Sequence, residues 1–234
     1  MNLVLLEAGE LDGARAVVGG RRARHIALIH RASEGKRLRV GVVGGRVGSG
    51  VIVSADPQRV VLDVELDSEP PAPLACMLVL ALPRPRVLRR VLGAAATFGI
   101  KRIVLLGAQL VEKSYWQSPT VADEAIRDAL VLGLEQGCDT VLPVVDKRRR
   151  FRPFVEDELA ALAAGSLALL ADPGAGEPCP AAGAASVTLV IGPESGFVDF
   201  ELELLHAAGL RSVSLGTRPL RVEHAFAALI GRLF

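Results

Sequence analysis

A buried strand runs into a glycine–proline turn in Leu189-Val-Ile-Gly-Pro-Glu-Ser-Gly-Phe197, and a similar transition recurs in Ser214-Leu-Gly-Thr-Arg-Pro-Leu-Arg-Val-Glu-His-Ala225. A third strand ends in Leu169-Leu-Ala-Asp-Pro-Gly174. Glycine lets backbone groups approach a ligand closely. Open α/β sheets bind ligands in the loops that leave the carboxyl ends of their parallel strands. Three such loops in the last third of the chain therefore predict one composite site.

Outward from these loops, strands alternate with helices as far back as residue 73, which predicts a mostly parallel α/β sheet. The elements follow from continuous apolar runs of strand length and from apolar residues at helical spacing. Strands are expected at 76–82, 102–106, 141–145, 167–171, 187–191 and 212–215, and helices at 87–98, 120–134, 154–163, 199–208 and 222–233.

The chain before the proline-rich linker Ser68–Pro73 has a different pattern. Turn residues separate β-branched runs at 38–43, 47–53 and 60–66, which is typical of a meander or small barrel. Two hairpins alone are marginally stable, so we expect a closed or helix-covered barrel. The glycine-rich stretch 41–50 lies between strands and opens no helix, so it predicts hairpin turns and not a phosphate-binding loop.

The composition is that of a globular protein, because 50% of the 234 residues are hydrophobic and 23% are charged. Length and linker predict two domains, residues 1–70 and 71–234. The three cysteines lie far apart and the four histidines lack ligand spacing, so we expect no disulfide framework and no metal. No apolar run approaches the roughly 20 residues of a membrane span, and no signal peptide is visible. We expect a cytoplasmic protein that does not bind membranes.

Positive charge is concentrated in three stretches, although the net charge is only +1. Residues 15–39 hold eight Lys and Arg against one acid, residues 84–102 hold six and no acid, and residues 147–152 hold five. Two interpretations remain open, an ordinary solvated surface or a basic face for a polyanion such as RNA. Because aromatic residues make up only 4% of the chain, we expect contacts to phosphate and shape more than stacking on bases.

Several common catalytic motifs are missing from the sequence. No Gly-x-x-x-x-Gly-Lys-Ser/Thr loop occurs, and Ser195 does not lie in a Gly-x-Ser-x-Gly elbow. A third interpretation, a nucleotide-binding α/β enzyme of another chemistry, is disfavoured because the sequence contains no phosphate-binding loop.

The paired segments Ile191–Phe197 and Leu215–Glu223 resemble the signature of the bacterial 16S ribosomal RNA uracil-N3 methyltransferases, the RsmE-type members of the SPOUT superfamily. The resemblance extends over nearly the whole chain. Three further stretches are similar to family motifs: His25–Arg31 with Gly35 to the N-terminal RNA-binding motif, Arg84–Gly99 to the first methyltransferase-domain helix, and Glu135-Gln136 to a mid-domain acid–amide pair.

The resemblance implies a small N-terminal PUA-like β-barrel followed by a SPOUT-type α/β domain with a deep trefoil knot. It also implies S-adenosyl-L-methionine as cofactor, 16S ribosomal RNA of the small ribosomal subunit as substrate, and a homodimer. The cofactor-binding residues would be Leu170, Ala171, Asp172, Pro173, Ile191, Gly192, Pro193, Gly196, Leu215, Gly216, Pro219 and Leu220. The expected RNA-binding residues are Arg21, Arg22, Arg24, His25, Arg31, Arg84 and Arg86.

The sequence departs from the family pattern at three places. Ser195 stands where the family usually has glycine, and Asp139 stands where an arginine commonly follows the acid–amide pair. Pro219 and His224 replace the usual isoleucine and threonine of the last motif. These departures leave a second interpretation open, a non-catalytic RNA-binding or ribosome-assembly protein that has kept the fold. Affinity for S-adenosylmethionine separates the two, because a pure binder does not need it.

The predicted chemistry needs few side chains, because methyl transfer is an in-line displacement in which the protein mainly aligns donor and acceptor. The uracil N3 proton must leave, and an arginine near the pyrimidine oxygens stabilises the developing anion. Arg218 and Arg221 are the candidates for this role. Glu223 either orients Arg221 or, as an acid in a first helical turn, complements the helix dipole.

Overall fold

The computed structural model describes residues 1–29, 33–181, 183 and 186–234. These residues form two compact units. The first contains residues 1–72, 95–99 and 130–142, and the second contains residues 73–94, 100–129 and 143–234. Each unit is built around its own six-stranded sheet, as far as the described residues show.

The first unit has a mainly antiparallel sheet with the strand order β1-β4-β5-β6-β3-β2. Only the β1–β4 pair in this described sheet is parallel. Its strands are β1 (Val4–Leu6), β2 (Leu11–Asp12), β3 (Arg15–Gly19), β4 (Arg37–Val42), β5 (Val47–Ala55) and β6 (Arg59–Ser68). The three β-branched runs of the sequence form β4, β5 and β6, whereas the short strands β1 to β3 are additional to the predicted elements.

A helix packs on this sheet, which makes it helix-covered, one of the two arrangements expected from the sequence. Helix α1 (Gly20–Arg24) continues into a wider π-helical turn at His25–Ile29. Its Ile26 lies in one hydrophobic cluster with Val18 and Leu62 of the strands.

The second unit has a parallel sheet with the strand order β12-β10-β11-β7-β8-β9. Its strands are β7 (Leu74–Ala81), β8 (Ile100–Leu106), β9 (Val144–Arg148), β10 (Leu167–Ala171), β11 (Val187–Ile191) and β12 (Arg211–Val213). The predicted mixed α/β fold with two sheets is confirmed. All five residues of β11 are buried, as expected for a strand covered on both faces.

Helices follow most strands of the second sheet. They are α2 (Pro85–Thr97), α3 (Asp123–Gly137), α4, which joins the turns Phe151–Pro153, Phe154–Leu159 and Ala160–Ala163, α5 (Asp199–Ala207) and α6 (Val222–Leu233). Short 3₁₀ turns occupy Lys113–Gln117 and Pro119–Val121. Within the described ranges, no helix has the length and apolar composition that a bilayer crossing requires.

One predicted strand is shifted along the chain. The sequence predicts a strand at 141–145, but β9 begins only at Val144. Pro143 directly precedes it, and a proline has no N–H to donate to a sheet ladder. The ladder with β8 therefore starts after the proline, at the pair Arg102 and Val144.

The parallel arrangement brings the ends of neighbouring strands to one level. Ala171 at the end of β10 pairs with Ile191 of β11 and with Val213 of β12, and each of these is the last residue of its strand. Ile191 also pairs with Leu80 near the end of β7. The loops after these strands therefore leave the sheet at the same edge, which is where an open α/β sheet binds ligands.

Candidate functional site

The loops after β10, β11 and β12 line one cavity of about 180 Å³ at the carboxyl edge of the parallel sheet. The structure thus brings together the three segments singled out in the sequence. The lining residues are Ala171, Asp172, Pro173, Ile191, Gly192, Pro193, Glu194, Gly196, Phe197, Leu202, Val213, Ser214, Leu215, Gly216, Arg218, Leu220, Val222, Ala225 and Leu229.

The loop after β10 is held by backbone hydrogen bonds to the end of β12. The N–H of Asp172 donates to the carbonyl of Val213 at 3.0 Å, and the N–H of Ser214 donates to the carbonyl of Glu177 at 2.8 Å. The N–H of Cys179 donates back to the carbonyl of Ser214 at 2.8 Å. These bonds join two loops that are far apart in sequence, so the cavity wall they form is set by the backbone.

The loop after β11 depends on two glycines. Gly192 is buried, and a Cβ at this position would lie 3.2 Å from the ring of Phe197, which also lines the cavity. Gly196 has φ of +77°, the left-handed region that favours glycine. Ser195 is exposed, and Cys138 is the one non-glycine residue with positive φ in the described part of the chain. Serine therefore causes no backbone strain at position 195.

The loop after β12 contributes Leu215, Gly216, Arg218 and Leu220 to the cavity, and Gly216 has φ of +112°. Arg218 is exposed and makes no ion pair with any residue that the structure describes. Its guanidinium is therefore available to an anionic group in the cavity.

Four of the residues singled out in the sequence do not line this cavity. Leu170 is fully buried in the core of the second unit, because β10 points it to the opposite side from its neighbours. Pro219, Arg221 and Glu223 lie in or after the last loop but outside the lining. Arg221 is the residue that precedes the first turn of α6, and its side chain is exposed.

Glu223 pairs with Arg90 of α2 at 3.2 Å and not with Arg221. Its Oε2 is buried and has no hydrogen-bond partner among the described residues. A hydrogen bond from its own backbone N–H, supported by Arg90, lowers the pKa of the carboxyl group. Glu223 is thus an ionised acid in the first turn of α6. Of its two expected roles, this arrangement matches complementing the helix dipole and not orienting Arg221.

A second carboxylate fixes the start of α5. Glu201 is completely buried, and its Oε1 accepts the N–H of Gln109 at 2.8 Å. Its Oε2 accepts the N–H of Val198 at 3.2 Å, which caps the helix. The side chain thereby joins the loop after β8 to the loop after β11.

Sequence reasoning missed the helical wall of the cavity. Val222, Ala225 and Leu229 line it from α6, and their spacing of three and four residues places them on one helix face. That spacing is visible in the sequence and could have identified this helix face. Glu194, Phe197, Leu202, Val213 and Ser214 are the other lining residues outside the predicted set.

No group of three or more His, Cys, Asp or Glu side chains in the described ranges could hold a metal ion. The cysteines are unpaired thiols, and burial raises the pKa of Cys76 to about 12.

Comparison with known proteins identifies the family. Residues 70–233 match the RNA methyltransferase domain. The chain is 32% identical to Ribosomal RNA small subunit methyltransferase E of Treponema pallidum, over 97% of this chain and 88% of that protein. The chain belongs to the ribosomal RNA small subunit methyltransferase E family. A further relative, Ribosomal RNA small subunit methyltransferase E 1 of Borreliella burgdorferi, is 22% identical over 96% of this chain and 94% of that protein.

Solved structures share the fold of this methyltransferase E family member. The Legionella pneumophila protein Lpg2936, crystallised with S-adenosylmethionine, has a TM-score of 0.74 at 20% identity and covers 98% of this chain and 95% of its own. A ribosomal RNA small subunit methyltransferase E from Neisseria gonorrhoeae, also bound to S-adenosylmethionine, has a TM-score of 0.71 at 14% identity, with 98% and 95% coverage.

Two of the expected RNA-binding arginines of this methyltransferase E family member make ion pairs within the first unit. Arg22 donates to the Glu10 carboxylate, and its side chain is only 18% exposed. Arg21 donates to both oxygens of Glu135, at 2.8 and 2.9 Å, and is 51% exposed. Arg22 is therefore occupied mainly by contacts within the fold. Arg21 is also paired, but about half of its side chain remains accessible to solvent.

The other residues of this group differ in accessibility. Arg24 is exposed and His25 is half-buried. In the second unit, Arg84 and Arg86 are both exposed, at the start of α2. Arg31 lies outside the described residues.

We expect Arg21→Ala to destabilise the protein by about 2–3 kcal/mol, because it leaves the Glu135 carboxylate, 2% exposed, without its cation. Arg24→Ala is the matched control on the same helix, since Arg24 is exposed and makes no ion pair within the described ranges. It should change the free energy of unfolding by less than about 0.5 kcal/mol. Chemical denaturation measures both; equal stability of the two variants would show that the pair contributes nothing.

Asp139, which replaces the family's usual arginine, is a buried turn residue. Its Oδ1 accepts the N–H of Val141 at 2.9 Å. The preceding Cys138 has φ of +57°, and the following Thr140 donates its hydroxyl to the carbonyl of Gly45. This position therefore serves the fold of the first unit.

Proposed function

We propose that this protein uses S-adenosyl-L-methionine to methylate a uridine at N3 in 16S ribosomal RNA of the small ribosomal subunit. The observation that carries the proposal is the convergence of the loops after β10, β11 and β12 on one cavity. Family membership and the names of the relatives support the reaction, and the folds solved with S-adenosylmethionine support the cofactor.

The cavity suits S-adenosylmethionine better than a phosphate-bearing nucleotide. Helix N-termini attract phosphate, but the two helices that begin at this cavity carry acids in their first turns, Asp199 and Glu201 in α5 and Glu223 in α6. Glu194 adds another carboxylate to the lining. A nucleoside with a positive sulfonium and no phosphate fits this charge, and the apolar lining from Leu215, Leu220 and other residues fits an adenine ring.

When bound, S-adenosylmethionine supplies the methyl group. The backbone of Ile191, Gly192 and Gly216 and the apolar face of α6 would hold it. Arg218, which lines the cavity, would face the pyrimidine oxygens and stabilise the anion left when the N3 proton departs. Arg221, exposed at the start of α6, would contact the RNA.

The finer features implied by the sequence resemblance belong to the same proposal. Residues 1–70 form a PUA-like RNA-binding domain, and residues 71–234 form a SPOUT domain whose C-terminal loops make a trefoil knot. The six-stranded, mainly antiparallel sheet of the first unit and the backbone hydrogen bonds that join the loops after β10 and β12 support these assignments. The enzyme works as a homodimer in the cytoplasm, where ribosomal subunits are assembled.

Mapping of ribosomal RNA modifications by mass spectrometry, with and without the gene, tests this proposal. Loss of one N3-methyluridine in 16S ribosomal RNA is the expected result. Calorimetry with S-adenosylmethionine separates the enzyme from a non-catalytic assembly protein, because the enzyme should release or absorb heat. An unchanged modification map, or no binding of the nucleoside, would contradict the proposal.

A further inference from the structure

The carboxyl edge of the parallel sheet has a second half that the cavity does not use. β7, β8 and β9 end at one level, because Ala81 pairs with Leu106, and Leu106 pairs with Arg148. The loops after these strands carry Arg84, the turn Lys113–Gln117, and Arg149. This half of the edge lies beside the cavity half, since β7 is the neighbour of β11.

The single tryptophan and the single tyrosine of the chain are adjacent in that turn. The Arg149 guanidinium carbon lies 5.4 Å from the centroid of the Trp116 ring, which is a cation–π contact. Arg149 is exposed and makes no ion pair with any described residue, whereas the preceding Lys147 and Arg148 are paired with Asp123 and Glu158. The guanidinium is thus held on an aromatic ring with its charge unneutralised.

A close backbone approach places Arg149 beside β8. The N–H of Gly107 donates to the carbonyl of Arg148 at 2.7 Å. A Cβ on Gly107 would lie 2.2 Å from the carbonyl oxygen of Arg149, so only glycine fits there. The backbone contacts of Gly107 at the end of β8 therefore fix the position of this arginine.

Tyr115 connects this stack with the cavity. Its hydroxyl donates to Glu112 at 3.1 Å and also hydrogen-bonds to the Arg84 side chain, which raises the pKa of Arg84. The backbone N–H of Arg84 donates to the carboxylate of Glu194, and Glu194 lines the cavity. A continuous set of contacts thus runs from the cavity rim to the turn that holds Trp116.

We propose that the Trp116–Arg149 stack is a nucleobase and phosphate contact for single-stranded substrate RNA. Exposed arginine planes and aromatic rings are the side chains on which unpaired bases stack. Arg150 and Lys113, both exposed, add positive charge for the backbone phosphates. β11 and β9 are three strand spacings apart, roughly 14 Å. The stacked base is therefore a neighbour of the methylated nucleotide and not that nucleotide itself.

The inference rests on the proposed function for the identity of the RNA, but its test does not require methyl transfer. Because the chain has one tryptophan, its indole fluorescence reports on Trp116 alone. Two probes are titrated: an unmodified 16S ribosomal RNA transcript and an oligouridylate of roughly 12 nucleotides, within the range of single-strand site sizes. We expect saturable quenching, because a stacked base deactivates the excited indole, with binding followed in parallel by anisotropy of labelled RNA.

Arg149→Ala should weaken RNA affinity by about 5- to 100-fold, the effect of losing one stacking contact. Arg152→Ala is the matched control: it removes one positive charge from the same stretch, but its side chain pairs with Glu156 at 3.3 Å. The control should keep the RNA affinity within about twofold. In methylation assays Trp116→Ala should raise KM for RNA while kcat and S-adenosylmethionine affinity are kept, and Trp116→Phe should restore most of the loss.

RNA that saturates the protein without changing Trp116 emission, RNA that does not bind, or wild-type affinity in Arg149→Ala would each overturn the inference. A protein that shows the quenching but transfers no methyl group keeps this inference and loses the proposed activity. A protein that methylates RNA while the Trp116 emission stays unchanged keeps the proposed activity and loses this inference.

Discussion

Arg218→Ala is expected to slow single-turnover methylation by about 100- to 1,000-fold, the usual effect of removing one group that stabilises a developing anion. Arg218 is the only arginine among the described cavity-lining residues, and no described carboxylate neutralises it. Without it, the N3 anion of the uracil loses its nearest positive charge. S-adenosylmethionine binding, measured by calorimetry, should be much less affected, because the apolar lining and the loop backbone remain.

Two further measurements make the Arg218 prediction specific. The rate of the variant should rise more steeply at high pH, because the uracil N3 proton must then be lost without the help of a cation. Arg211→Ala is the matched control, an exposed arginine of β12 that pairs with Glu177 at 3.5 Å, and it should keep the wild-type rate within about twofold. A wild-type rate in Arg218→Ala would remove this residue from the mechanism.

Gly48→Ala is expected to destabilise the sheet of the first unit by about 3 kcal/mol, at the upper end of overpacking effects. A Cβ at Gly48 would lie 1.9 Å from the carbonyl oxygen of Glu65 and 2.8 Å from the Cα of Leu66. Both atoms belong to the backbone of β6, so no side chain can rotate away. The register of β5 and β6 shifts at this point, which shows that the strands already deviate here to pass each other.

Hydrogen exchange in β5 and β6 measures this local loss of stability, because opening of the two strands is reported by their own amides. Gly45→Ala is the control in the same hairpin. Its Cβ would meet Val42 at 3.5 Å, an ordinary contact, and its stability should change by less than about 0.5 kcal/mol. Equal protection of the two variants would refute the prediction for Gly48.

The interior of the second sheet could be predicted from the sequence because its strands are continuous apolar runs. β10 and β11 occupy the predicted residues 167–171 and 187–191, and the burial of all five residues of β11 leaves little ambiguity there. β1 to β3 were missed because strands of two to five residues carry too few apolar positions for a periodic signal.

Some features of the site could likewise be predicted from the sequence, and others could not. The cavity loops could be predicted because glycine and proline mark the turns after buried strands. The family resemblance implies that Leu170 binds the cofactor, but strand alternation turns its side chain into the core. The pairing of Glu223 with Arg90 and the stacking of Arg149 on Trp116 join residues far apart in the chain. No local spacing encodes such contacts, since they depend on the order of strands in the sheet.

The strand order also has a consequence during synthesis. β7 lies between β8 and β11. Its Leu78 pairs with Leu189, which is synthesised 111 residues later. At a ribosomal elongation rate of roughly 5–20 residues per second, that edge of the nascent sheet stays open for about 6–22 s. Unpaired apolar strand edges are templates for aggregation. The edge of β7 is therefore a site for unwanted strand pairing until β11 has been translated.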